Sequence, residues 1–125
     1  TVEVKIGKKT YDTGNSKVGS LIGDHTKTSI GTLLNTGSTI GIMCLLMASG
    51  TPLPKYIPGF SWYLNGRFSR GVGLKRLIKT AHAATARRNC SLTAEDIVLL
   101  EAVYDMTKEE RDPLIKRDSK ALLGR

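Results

Sequence analysis

The sequence predicts a parallel β-helix with a helical tail, and three observations carry that prediction. A six-residue rhythm runs through residues 1–50, a Pro-rich aromatic segment ends it after Gly50, and a helical period takes over from Gly71. Every sixth residue from Ile22 gives Ile22, Thr28, Leu34, Ile40 and Leu46. Two residues before each stands a small side chain: Ser20, Thr26, Thr32, Ser38 and Cys44.

Side chains at i and i+2 of a strand share a face, so Ser20 with Ile22 and Ser38 with Ile40 point inward as pairs. Carried backwards, the frame reaches Ser16, Thr10 and Val4. Three six-residue sides make an eighteen-residue coil, which stacks Ile22 on Ile40 and Ser20 on Ser38. Gly23 and Gly41 follow the inward aliphatics at the corners, where positive φ is expected, and Asn35 takes the same place after Leu34.

The coils are expected over 1–50. Over 51–70, Pro52, Pro54 and Pro58 remove backbone donors, so an extended exit loop is expected, with Tyr56, Phe60, Trp62 and Tyr63 capping the open end of the core. An α-helical extension fills 71–125. Leu74, Leu77, Ile78, Ala81 and Ala84 form the apolar stripe of its first helix. Thr93-Ala-Glu-Asp96 resembles a capping box and opens a second helix through about Tyr104. Thr107-Lys-Glu-Glu110 offers a start for a third helix, but Pro113 sits awkwardly for it, and a start with Asp112 as cap and Pro113 at the first helical position is expected instead.

With 125 residues the chain suits one domain, or one compact half with a tail. No apolar run has the length of a membrane span, and no secretion signal is visible. Cys44 and Cys90 stand alone, as expected of reduced thiols in a cytoplasmic protein, and no metal-ligand spacing is present. The strand pattern has begun by Val2 and Val4 without an initiator Met, which suggests the C-terminal piece of a longer protein. The formal charge is +8. Between Lys55 and Arg88 lie eight basic residues and no acid, a field that attracts phosphate esters, nucleotides or nucleic acid.

The stretch from Gly14 to Gly41, with Lys-x-Gly-x-x-Ile-Gly-Asp at Lys17 to Asp24, resembles the C-terminal hexapeptide-repeat part of sugar nucleotidyltransferase-like proteins. It is similar to the acyltransferase half of the bifunctional N-acetylglucosamine-1-phosphate uridyltransferase/acetyltransferases. The Pro52–Trp62 exit adds to the likeness, which covers residues 1–65. The resemblance implies a left-handed β-helix, a homotrimer, acetyl-CoA or another acyl-CoA as cofactor, and an upstream nucleotidyltransferase domain acting on a sugar phosphate or nucleotide sugar. The Gly-rich nucleotide loop and metal-binding acids of that domain are not in this sequence.

The family's catalytic His lies between the Lys and the Ile-Gly-Asp. Here that interval is shorter and has no His, and His25 follows Asp24 instead. A thioester-attacking amine or hydroxyl needs a base near neutral pH, so His25 is the candidate catalytic residue, with Asp24 able to orient it. Lys17, Asp24, Lys27 and Asn35 are the candidate substrate or cofactor contacts. Each also has a plainer reading as a corner or surface residue. His82 is expected to pack against the first helix's stripe.

Three functions follow as expectations. The chain is part of a sugar-nucleotide transferase that binds acyl-CoA or assembles a trimer. Alternatively it is a non-catalytic trimerisation module. The third is nucleic-acid binding through the basic 55–88 segment.

Overall fold

A computed structural model describes residues 1–123 of the chain. Strands β1 (Glu3–Ile6) and β2 (Lys9–Asp12) come first, followed by β3 (Leu21–Ile22), β4 (Lys27–Thr28), β5 (Thr39–Ile40) and β6 (Leu45–Leu46). Then come β7 (Tyr56–Ile57), β8 (Trp62–Leu64), β9 (Arg67–Ser69) and the helices α1 (Leu74–Ala86), α2 (Ala94–Met106) and α3 (Lys108–Leu123).

These elements correct the prediction of a mainly β, left-handed parallel β-helix with a short helical extension. The fold is mixed: three small sheets and three helices among the described residues, 34% of it helical, and the sheets do not close into a solenoid. Two sheets contain parallel pairs, in the orders β3-β5-β7 and β4-β6-β8-β9. Ile22 pairs with Ile40 eighteen residues on, and Ile40 with Ile57 seventeen residues on. The third side forms no strand. There, Gly50, Pro52 and Pro54 interrupt the ladder, and Leu53 N–H to the Leu33 carbonyl, 3.0 Å, is the bond that crosses it. Thr10 and Val4 leave the frame altogether, because β1 and β2 form an antiparallel hairpin through Gly7, whose φ is +60°.

The six-residue rhythm survives in the backbone, two residues later than predicted. Positive φ falls at His25, Gly31, Gly37 and Met43, not at Gly23, Asn35 or Gly41. Gly41 serves close approach instead: a Cβ there would lie 2.3 Å from the Gly59 nitrogen. Small inward residues stitch the layers. Thr26 Oγ1 accepts from Cys44 N–H at 3.1 Å and donates to the Gly41 carbonyl at 2.7 Å.

Two cores result. Between the strand layers lie Ile40, Leu46, Leu53, Ile57 and Phe68, closed at one end by Ile115 of α3. The other end is bare: Ile22 is 50% exposed where Ile40 beneath it is 2% exposed. The second core joins Met43 and Phe60 to Ala81 of α1 and Leu100 of α2. The predicted stripe of α1 faces it, and the capping box of α2 is present, with Asp96 N–H to Thr93 Oγ1 at 3.1 Å and Thr93 N–H to Asp96 Oδ2 at 2.8 Å.

Helix α3 begins earlier than predicted, so Pro113 lies inside it. Arg111 ties the start of this helix to the rest of the fold. Arg111 is 2% exposed. It donates to the Gly59 carbonyl (3.0 Å), Thr107 Oγ1 (2.8 Å) and the Tyr104 carbonyl (3.0 Å), and its guanidinium lies 4.3 Å from the Tyr104 ring centroid.

Candidate functional site

The stacked corners build the site. His25, Met43 and Phe60 occupy successive turns of the chain, and each has a left-handed backbone, with φ of 58°, 56° and 59°. Backbone bonds tie the rungs together: Met43 N–H to the Asp24 carbonyl at 2.9 Å, and Phe60 N–H to the Ile42 carbonyl at 2.8 Å. A non-glycine residue in this region carries roughly 1–2 kcal/mol of strain. Met43 and Phe60 offset it by burial under α1 and α2. His25 is the outermost rung and only half-buried.

His25 therefore stands at the junction of two cavities. One, of about 310 Å³, lies between the corner and α1; Lys27, Met43, Trp62, Arg76 and Leu77 line it with His25. The other, of about 350 Å³, lies towards α2, where Asp24 and His25 face Thr85, Leu92, Asp96 and Leu99. Lys27 Nζ donates to the His25 carbonyl at 3.1 Å, which holds the ammonium group at the corner. No hydrogen bond joins the His25 imidazole to any described residue, so no neighbour orients it as a base.

The structure brings Asp24, His25 and Lys27 to one corner and places the other two candidates elsewhere. Lys17 and Asn35 are both exposed and line neither cavity. The Asn35 carbonyl accepts from Ser38 N–H at 3.2 Å and Ser38 Oγ at 2.7 Å, which is a turn role. His82, expected to pack, is exposed. Cys44 points into the core; burial pushes its thiol pKa up, and its Sγ donates to the Pro58 carbonyl at 3.2 Å. Cys90 is exposed.

Arg76 of α1 and Trp62 of β8 also line the site. Their contribution depends on how α1 and β8 meet the corner, and no spacing in the sequence announces that. Of the eight basic residues between Lys55 and Arg88, Lys55 donates to the Glu3 carbonyl at 3.2 Å, Arg70 lies 3.9 Å from Asp112, and Arg67 acts on Asp118. Among the described residues no group of three or more His, Cys, Asp or Glu gathers to hold a metal ion. No described helix is long and apolar enough to cross a membrane.

No family model matches the sequence, and neither a curated protein nor a solved structure matches the chain.

Proposed function

We propose that this chain is the ligand-binding part of a sugar-nucleotide transferase, holding an acyl-CoA in the cavity between the His25 corner and α1. One observation carries the reading: a cavity of about 310 Å³ whose apolar wall of Met43, Leu77 and Trp62 is bordered by the cations Lys27 and Arg76. An acyl-CoA combines an apolar arm with phosphates, and the lining offers a place for each. The resemblance of the Lys17–Asp24 stretch supports the same class of ligand, with nucleotidyl transfer belonging to a partner domain of the same protein. Lys27 and Arg76 take the phosphates, and His25 forms the rim.

Calorimetric titration of acetyl-CoA into the chain tests this. Binding that weakens at least tenfold in Lys27→Glu/Arg76→Glu, a loss of about 1.4 kcal/mol or more, supports it. No binding by the native chain overturns it.

A second reading, an assembly module without catalysis, is favoured by the unpartnered imidazole of His25. The His25→Ala variant separates the two. Acyl transfer to an amino sugar that disappears with the imidazole would assign chemistry to this corner. Binding without turnover in either protein would leave the chain as a binding and assembly part.

A further inference from the structure

Helices α1 and α2 divide their charge completely. Helix α1 carries Lys75, Arg76 and Lys79, with Arg87 and Arg88 just beyond its end, and no acid. Helix α2 carries Glu95, Asp96, Glu101 and Asp105, and no base. Both helices turn their inner sides to Met43 and Phe60; Arg76 and Asp96 reach the cavities beside His25, and the other charges line the outer sides. No ion pair among the described residues uses any of them.

The two outer faces also differ in shape. On α2, Val98 (64% exposed), Ala102 and Met106 (77% exposed) recur at four-residue spacing and form an apolar ridge beside Glu101 and Asp105. Leu99 widens it. A helix apolar on its outer as well as its inner side is normally covered on both. On α1, the exposed Ala83 and Ala86 leave a shallow strip between Lys75, Lys79 and Arg87. Large apolar side chains flanked by acids thus have a counterpart in small side chains flanked by bases, and both belong to the same chain.

We propose that the α1 face of one copy docks on the α2 face of a second copy. A second copy is the occupant because it presents the complementary charge and shape itself. Each copy carries both faces, so the contact is met twice across a two-fold axis, giving a dimer, or is repeated head-to-tail, giving a ring of three or more copies or an open chain. The overall charge of +8 opposes association. At about 0.1 M salt the screening length is about 10 Å, which damps that long-range term while facing side chains stay coupled. The inference is independent of the acyl-CoA reading, since neither ridge nor strip borders the Lys27 phosphate position.

A charge-swap experiment tests it, with mass in solution read by light scattering or sedimentation. One variant is Glu101→Lys/Asp105→Lys, which makes both faces basic. The other is Lys75→Glu/Lys79→Glu/Arg87→Glu, which makes both acidic. All five positions are exposed, so neither change touches the core. The native chain should have a mass at least twice its 13.6 kDa. Each variant alone should be a monomer, and an equal mixture should associate again, because every face meets its opposite where the two variants alternate. A monomeric native chain overturns the proposal, as does a variant that keeps the native mass or a mixture that stays monomeric. Circular dichroism on each variant confirms that the helices are intact before the masses are compared.

Discussion

Arg111 on α3 donates to the carbonyl of Gly59 at 3.0 Å, and through that bond the last helix is tied to the last of the three stacked corners. The same guanidinium reaches the Tyr104 carbonyl near the end of α2, where a helix concentrates its negative end. One buried cation thus fastens the end of α2 and the start of α3 to a corner 52 residues earlier in the chain.

Arg111→Ala removes three hydrogen bonds and leaves carbonyl acceptors buried, so stability should fall by about 3 kcal/mol. Arg111→Lys keeps the charge but cannot serve all three acceptors, and should recover less than half of that loss. Urea unfolding of the three proteins measures both values. A variant within 0.5 kcal/mol or so of the native chain would remove Arg111 from this role.

Gly41→Ala should be among the most damaging single changes, because the added Cβ meets Gly59 backbone 2.3 Å away. A cost of about 4 kcal/mol or more is expected, in the range reserved for severe overpacking. Gly19→Ala is the matched control: nothing lies within 4 Å of its Cβ, and its effect should stay within about 0.5 kcal/mol. Thermal melts of the pair give the comparison.

Asp118 sets a pH dependence. Burial raises its pKa, but the Arg117 side chain, the Phe68 N–H at 2.7 Å and the Arg67 charge outweigh burial and hold it below the ordinary value of 3.8. A carboxyl depressed in the folded state binds fewer protons there than when unfolded. Its contribution is therefore fully present above the unfolded value and is lost as pH falls through the folded one. Asp118→Asn keeps an acceptor for Phe68 but loses the charge. The stability gap between native and variant should be constant at neutral pH and close as the pH drops below 3.8. A gap that does not change over that interval would contradict the assignment.

The two thiols should separate kinetically. Cys90 is exposed and should react with a disulfide reagent in the native state. Cys44 is buried with its thiol pKa raised, so its labelling should wait for unfolding and follow the unfolding rate as denaturant is added. Simultaneous labelling of both would mean that the Cys44 layer opens readily.

Local periodicity made the first two helices legible: the stripe of α1 and the capping box of α2 need only neighbours in sequence. The same holds for the partnership of Ile22 with Ile40, which an eighteen-residue count anticipates. The solenoid did not follow, because a repeat of side chains specifies neither the third side nor the hairpin at Gly7. Pro113 misled for a different reason. Its helix starts at Lys108, where the Thr107 carbonyl accepts from Glu110 N–H and Arg111 N–H, a start the Thr107-Lys-Glu-Glu110 run offered and the proline argued against. At the site, Asp24, His25 and Lys27 are neighbours in the chain and were found together. Arg76 and Trp62 arrive from other elements and could not be read in advance.

The strand layers end differently at their two faces, with Ile115 lying over one and Ile22 uncovered at the other. Breathing of this molecule should therefore have a direction. Amides of Leu21 and Lys27, paired on the uncovered layer, should exchange with solvent first. Those of Gly41 and Leu45 should follow, and Phe68, held by Asp118, should exchange last. Opening spreads inward from one end, as in a stack of plates lifted from the top, while the α3 side stays closed until the whole chain unfolds.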